Sequence, residues 1–486
     1  MRLFMTVMPL AYLCGNIYIL IKLWHCLGKS CNAFGLLNFG PVNLWIRIAI
    51  MVLMVLISSS LFISIGIRNS EVPFWLMKLL HTIGSVWMVY MFYLIMILLP
   101  TDIARMAIPA LKSAAWFTSS KLFCGGSLVV TAVLIAGYIN YINPKVLHLS
   151  ISHSTTPDSE IPHSAKSTTD TEIPHSAKST TDAEISHSAK SATERLEQIQ
   201  YNGMKPLRIV AISDVHLGYG TGKWLTRRYI DLINRQNPDI VLIAGDLIDN
   251  STTPVSKQQL HLELNKLQAP LGIYLAPGNH EYISGIEACK RLLAETHVKI
   301  LQDSVVSIHY PANCQQQPGY TAFHIHNSMP TNKTSSITAN SMPTDKTSSI
   351  STNSISTDTT SSTSTIGKLL PAIQIIGRDD RYNRNRKSLE ELLAETDREC
   401  PTIVIDHQPY NLAQTDSLGV FLQISGHTHR GQIWPLNLLT DNIYEQSHGY
   451  RKWSNSHIFV SCGLSLWGPP FRIGTRSDLA VIEIQL

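Results

Sequence analysis

Residues 207–216 read Leu-Arg-Ile-Val-Ala-Ile-Ser-Asp-Val-His, an apolar run of strand length that ends abruptly in a carboxylate and an imidazole. Aliphatic and β-branched side chains over six residues predict a buried strand across 207–212. Asp214 and His216 follow directly at its carboxyl end. Four later segments repeat the plan. Gly245-Asp246-Leu-Ile-Asp249 follows the run 241–244, and Gly278-Asn279-His280-Glu281 follows 273–276. His407 follows 403–405, and Gly426-His427-Thr-His429 follows 422–424. A glycine precedes the polar group in three of the five, which permits the tight backbone that turns a side chain inward.

Outward from these runs the chain alternates. Strands are expected at 207–212, 240–244, 272–276, 402–405 and 421–425, and helices at 224–234, 256–267, 286–296 and 388–395. In the first helical stretch Leu225, Tyr229, Leu232 and Ile233 fall at i, i+4, i+7 and i+8, which gives one apolar face. Such alternation predicts an α/β layered fold whose working residues gather past the carboxyl ends of strands. Polar side chains concentrated there have no packing rationale, since a buried charge costs several kcal/mol unless it is paired or metal-bound. Carboxylate and imidazole together suit Mn, Fe or Zn.

The set of five resembles the calcineurin-like metallophosphoesterase superfamily, whose pattern is DxH, GDxxD, GNH[DE], a separate His and GHxH. The resemblance runs from about Lys205 to the C-terminus. Asp406-His407-Gln-Pro409 and the ending Gly463…Pro470-Phe-Arg472…Leu486 are similar to its membrane-associated bacterial branch. It implies a four-layer α/β/β/α sandwich and two divalent metal ions (Mn, Fe or Zn). Asp214, His216, Asp246 and His429 would hold one ion, and Asp246, Asn279, His407 and His427 the other, with Asp246 shared. His280 would sit over the phosphate as the catalytic histidine, with Glu281 orienting it. Asp249 would fix the loop or a histidine ring from behind. His427 and His429, two apart, would share one face of an extended segment that Gly426 lets bend. Arg472 and Arg378-Asp379-Asp380 are further candidates for the cleft.

The implied activity is hydrolysis of a phosphodiester or phosphomonoester by a hydroxide that two metals activate, on a phosphoester substrate that is lipid-linked. A nucleotidase or phosphoprotein phosphatase would use the same residues. A catalytically dead, membrane-tethered binding module is the reading from another class, and all seven ligands and His280 stand against it.

The first 145 residues are of another kind. Of 39 Lys+Arg and 35 Asp+Glu in the 486-residue chain, they hold ten and two, which leaves 29 and 33 for the rest. Apolar runs at 4–21, 44–67, 74–99 and 122–142 each approach the roughly 20 residues that cross a bilayer. Trp45, Trp75, Tyr138 and Tyr141 mark run edges, and Lys78 and His81 sit near one end of the third. The acidic remainder carries no basic stripe, so no nucleic-acid partner is expected; the bilayer is. The loops after runs one and three hold Lys22, Lys29, Arg105, Lys112 and Lys121, against Arg2, Arg68 and Lys145 on the other side. By the positive-inside rule this count leans toward a non-cytoplasmic head on a bacterial inner membrane.

The division is therefore 1–145 transmembrane, 146–200 flexible linker, and 201–486 phosphoesterase domain with a low-complexity insertion at about 324–367. The linker repeats His-Ser-Ala-Lys-Ser every 12 residues from His163, and the insertion repeats Asn-Ser-Met-Pro-Thr every 13 from Asn327. Sequence so poor in apolar residues cannot offset its ordering entropy. The insertion separates two strand-like stretches, 304–309 and 373–376, and reads as an expanded hairpin loop. Eight scattered cysteines read as structural or free thiols.

Overall fold

The computed structural model describes residues 2–28, 31–33, 37–39, 41–67, 72–108, 110–111, 119–153, 206–308, 325–327 and 373–485. Both repetitive segments, but for their first residues, lie outside that set.

Four long helices come first: α1 (Arg2–Leu27), α2 (Leu44–Gly66), α3 (Phe74–Ala107) and α4 (Ser119–Ile142). A small antiparallel hairpin, β1 (Cys31–Ala33) and β2 (Leu37–Phe39), joins α1 to α2. Four stretches are long and apolar enough to cross a membrane, Pro9–Leu27, Leu44–Gly66, Phe74–Ala107 and Ser120–Ile142, as the hydropathy of the sequence predicts. Several of their polar side chains are satisfied within the bundle. Ser58, Ser60 and Ser64 donate to carbonyls three residues back in α2, and Trp87 Nε1 donates to Asn16 Oδ1 at 2.8 Å. Gly84 lets α3 approach the backbone of α2 at Leu61, where a methyl group would overlap it. At the end remote from the rest of the chain, Lys22 pairs with Asp102, and Arg47 lies 3.8 Å over the Trp24 ring. Arg47 thus joins the basic cluster of that end.

The chain leaves α4 and enters a sheet at once. β3 (Lys145–Ser152) is an edge strand parallel to β15 (Asp478–Gln485), in register from Lys145 against Asp478 to Ser152 against Gln485. The sequence reading put 146–152 in the linker; backbone pairing with a partner 333 positions away leaves no local signal there. β4 (Leu207–Ile212) lies antiparallel to β15, and β5 (Ile240–Ala244), β6 (Ile273–Ala276) and β7 (Val298–Ile300) follow in parallel, which completes six strands. The second sheet has seven strands in the order β13-β14-β12-β11-β10-β8-β9. These are β8 (Ser304–Ile308), β9 (Ile325–Asn327), β10 (Ile373–Gly377), β11 (Thr402–Ile405), β12 (Leu422–Ser425), β13 (Gly449–Lys452) and β14 (His457–Val460). β8 and β10 pair antiparallel, Ile308 against Ile373, across the insertion.

Side-chain alternation builds the layers. Leu207, Ile209 and Ala211 of β4 join Ile375, Ile403, Ile405, Leu422 and Ile424 of the other sheet in one core between the sheets. Val210 and Ile212 face the helix Lys223–Asn234 through Leu225, Tyr229 and Ile233. The far face of the second sheet packs Val404 and Ile376 on Leu389, Leu392 and Leu393. The result is two mixed sheets between helices, the α/β sandwich expected. Each buried Ile, Leu or Val contributes about 1.5–3 kcal/mol.

Two expectations change in detail. The helix expected over 256–267 is broken, into Thr252–Gln258, Leu260–Glu263 and a 3-10 turn, because Gln259 takes a left-handed conformation at φ 55°. Tyr141 stays at the edge of its run, near the end of α4, but turns inward: it is buried in the head's core and reaches the Ser465 hydroxyl at 3.2 Å.

Candidate metal centre

β4, β5 and β6 run parallel, as do β11 and β12, so their carboxyl ends line up within each sheet. The five motifs fall there, and their side chains meet. His429 Nε2 lies 3.1 Å from His216 Nε2 and 3.2 Å from Asp214 Oδ1. His407 Nε2 lies 3.2 Å from both Asp246 Oδ2 and Asn279 Oδ1, and His427 Nδ1 lies 2.9 Å from that same Asn279 oxygen. Asp246 Oδ2 stands between the groups, 3.9 Å from His216 Nε2 on its other side. Two donor triads have the compactness of a cation site: Asp214, His216 and His429, and Asp246, His407 and His427. A third, His216, Asp249 and His280, adjoins the first.

The backbone is bent to achieve this. Asp214, His216, Asp246, His427 and His429 all have φ between 46° and 69°, a region that costs a non-glycine residue of order 1–3 kcal/mol. The segment 427–429 is therefore not extended, and its two rings diverge instead of sharing a face. His427 turns to Asn279 and His429 to His216. Glycines make room beside them. A methyl group at Gly278 would overlap the Asp246 carboxylate, and one at Gly426 that of Asp214.

Support comes from buried groups behind the donors. His407 Nδ1 bonds the Ala244 carbonyl at 2.8 Å, which directs Nε2 into the centre. Asp249 Oδ1 lies 3.4 Å from His216 Nδ1 and 3.3 Å from His280 Nδ1, so it backs one ring of the centre and the one beside it. Glu281 does not orient His280, contrary to the sequence reading. Its carboxylate accepts the backbone N–H groups of Asp246, Ile248 and Gly278 at 2.7–2.9 Å and so ties the second motif loop to the third. Arg472 is not in the cleft but fully buried beneath it. It donates to the carbonyls of His429, Cys462, Gly463 and Ser465. Arg378 pairs with Asp406 at 2.8 Å, and Asp379 accepts from the Tyr282 hydroxyl.

Electrostatics match a centre built for cations. Burial alone would depress the His216 imidazole, but the carboxylates of Asp214, Asp249 and Asp246 lift it to about 10. Burial also opposes charge on His407, and Asp246 overcomes it, raising that ring well above its usual range. His427, buried and facing His407, falls to about 4. Burial lifts the Glu281 carboxyl to about 7, with Asp246 adding to the rise. Divalent ions fit the donor set, because four imidazoles, two carboxylates and an amide oxygen converge in a buried space.

One wall comes from an element no motif announces. The Phe74 ring of α3 stacks on Tyr219 with centroids 5.4 Å apart, and His81 lies 6.0 Å from the same ring. Tyr219 is three residues past His216, and His81 is within electrostatic reach of Asp249. A Cβ on Gly222 would lie 3.7 Å from Lys78 Nζ. Phe74, Lys78 and His81 stand at i, i+4 and i+7, one face of the helix, and that spacing was the available signal.

A two-sheet sandwich with five loops of candidate donors at strand ends is the arrangement expected of a metallophosphoesterase domain. The comparisons agree: residues 207–431 match the calcineurin-like phosphoesterase family, so the chain carries a calcineurin-like phosphoesterase domain, the domain of the phosphoric ester hydrolases called metallophosphoesterases. An uncharacterized metallophosphoesterase of Helicobacter pylori is 27% identical over 286 residues, 58% of this chain. The match spans 60% of that relative's own length. A transmembrane protein with metallophosphoesterase domain from Danio rerio is 24% identical over 460 residues, 92% of this chain and 81% of its own. UDP-2,3-diacylglucosamine pyrophosphatase LpxG of Chlamydia trachomatis is 25% identical over 245 residues, 49% of this chain and 69% of its own. The relatives come from bacteria and animals alike.

Proposed function

We propose that this chain is a membrane-anchored phosphoesterase that hydrolyses a lipid-linked phosphodiester or pyrophosphate. The observation that carries the reading is the placement of Asp246 Oδ2 between His216 and His407, with Asp214, His429, Asn279 and His427 around them. Two divalent ions held there would activate a water for attack on phosphorus and neutralise charge on the phosphoryl oxygens. The chain's own residues do the rest. Asp214, His216, Asp246 and His429 form one binding group, and Asp246, Asn279, His407 and His427 the other. His280, half-buried beside His216 and backed by Asp249, is placed to donate a proton to the departing oxygen. Residues 1–145 anchor this head, which β3 joins directly to the last helix of the bundle.

The lipid-linked class follows from the wall. Phe74, Lys78 and His81 belong to a membrane-crossing helix and border the loop behind His216, so a substrate held in the bilayer presents its phosphate beside the donors. The relative named for UDP-2,3-diacylglucosamine is in keeping with such a class. The basic cluster of Lys22, Arg47 and Arg105 at the opposite end favours a head outside the cytoplasm, of a bacterial inner membrane in this reading, where the matching lipid carries no nucleotide. The test is a substrate panel on the full chain, loaded in turn with manganese, iron and zinc. Bis-p-nitrophenyl phosphate should be turned over with manganese, and a lipid-linked phosphodiester faster still. Metal bound with no turnover of any phosphoester sinks the hydrolase reading. Preference for nucleotides or phosphopeptides removes the lipid. A C-terminal reporter fusion that places the head in the cytoplasm shifts the substrate to a nucleotide-linked lipid.

A further inference from the structure

Five large apolar side chains of the head crowd into ten residues: Trp434, Leu436, Leu438, Leu439 and Ile443, each more than two-fifths exposed. They lie on and just before the helix Leu436–Ile443, which turns Asn437 inward and these residues out. Trp467 is half exposed beside them, since Gln432 Nε2 bonds the carbonyls of both Trp467 and Pro469. Contiguous exposed apolar surface of this kind marks a contact with a partner or a membrane.

What lies next to the patch says which. Tyr93 of α3 donates to the Trp434 carbonyl at 2.6 Å. Ile433 and Phe471, one residue before and four after the two tryptophans, are buried in the same cluster as Trp87, Leu94 and Leu98 of α3 and Val130 and Leu134 of α4. Gly137 of α4 accepts the backbone N–H of Arg472 at 3.0 Å. The patch is therefore continuous with the membrane-crossing bundle. Its depth follows from the length of α3. At 1.5 Å per residue its 34 residues span about 51 Å, some 20 Å more than the hydrocarbon core needs. That surplus is about 13 residues counted from Phe74, and its first two turns, Phe74 to His81, stand against Tyr219 in the head. Tyr93 lies 19 residues beyond Phe74, well within the apolar stretch, so the segment that meets it reaches the level of the lipid. Two tryptophans flanking a short helix with leucine and isoleucine outward are suited to the headgroup boundary.

We infer that Trp434, the helix Leu436–Ile443 and Trp467 form an in-plane element that inserts into the head-side leaflet beside α3 and α4, with phospholipid as its occupant. The inference does not depend on the hydrolase reading. It adds a contact with lipid to the covalent and packed junction that β3, Tyr93 and Gly137 already make between head and bundle. It also sets the distance of the metal centre from the lipid surface, because His429 is five residues before Trp434.

The test uses the full chain in phosphatidylcholine–phosphatidylglycerol vesicles doped with a phospholipid carrying a diazirine in its acyl chain. After irradiation and digestion, lipid adducts are expected on 434–443 and on 467, at yields within a few-fold of those on α1–α4. Labelled helices with an unlabelled 434–443 overturn the inference. Peptide-to-peptide crosslinks at 434–443 that grow with the protein-to-lipid ratio assign the patch to a second copy, and overturn it too. A Leu438→Lys/Leu439→Lys variant should lose at least tenfold of the adducts at 434–443 while those on α1–α4 persist. Unchanged labelling in a folded variant also counts against the element.

Discussion

The two halves of the metal centre differ in depth. Asp214, His216, His407 and His429 are each at most 4% exposed, while Asn279, His280 and His427 keep part of their surface open. The deep half is held from behind by Arg472 under the His429 carbonyl, Ala244 behind His407, and Asp249, itself slightly exposed, behind His216. The open half includes His280, which in the proposed reading passes a proton and does not hold a cation. The division separates holding from reacting. A buried donor can be locked because water need not reach it, whereas the group that passes a proton to a leaving oxygen must face the substrate.

Asp246 belongs to both halves, and its loss should have the largest effect. Asp246→Asn keeps the shape but weakens the shared oxygen. Turnover of bis-p-nitrophenyl phosphate is expected to fall about 10³-fold or more, since several kcal/mol of charge stabilisation go with it. Bound metal, counted by mass spectrometry of the elements, should fall in the same variant. Wild-type turnover there would show that no shared carboxylate exists.

His280→Gln tests the open half alone. Loss of a proton donor costs about 10²–10⁴-fold in kcat, and the metal content should stay at the wild-type level. A variant that loses its metal instead would make His280 a member of the deep half. Asp249→Asn lies between the two, because one oxygen faces both His216 and His280. An intermediate loss of about 10–100-fold is expected, split between metal affinity and kcat. An effect on stability with neither of these changed would reduce Asp249 to a loop brace.

Protons sharpen the contrast further. In the metal-free protein two deep rings, His216, near 10, and His407, well above its usual range, are protonated at pH 7, while the open His427, near 4, and the deep His429, which burial holds well below its usual range, are neutral. A cation needs the neutral imidazole, so loading must expel the two deep protons and none from His427. Affinity at each site should therefore rise about tenfold per pH unit between pH 6 and 8, the direction set by pKa values that lie above that window. Calorimetry in buffers of different ionisation enthalpy counts the protons. Uptake without proton release would contradict the charge state assigned to the deep half.

The sequence disclosed the donors because each follows a short apolar strand, a pattern that local chemistry alone produces. It disclosed the two sheets only in part. β3 and β15 pair across 333 positions, and β13 and β14 are short, so nothing within either segment announces its neighbour. Glu281 was misread for a related reason. Its spacing from Asn279 suggested a partner for the next ring, yet the unsatisfied N–H groups of Asp246, Ile248 and Gly278 needed an acceptor more, and only the folded loops bring them together. The bend at 427–429 was legible in part: Gly426 announced it, but nothing in the sequence placed His427 and His429 themselves in the left-handed region.

The contribution of α3 was the least legible part, and it supplies the smallest and most selective test. Lys78 is exposed, close to Gly222, and on the helix face that carries Phe74 and His81 toward Tyr219. An exposed cation there adds about 1 kcal/mol to binding of an anionic headgroup, which is a factor of about five. Lys78→Ala should therefore raise KM for a vesicle-borne lipid phosphodiester about three- to tenfold. It should leave kcat and the turnover of soluble bis-p-nitrophenyl phosphate unchanged, because neither touches α3. Salt should erase the difference, as surface charges are screened over about 8–10 Å at physiological ionic strength. Equal losses on both substrates would place Lys78 in support of the centre itself, and no loss on either would leave the wall of α3 as scaffold, with the lipid recognised elsewhere.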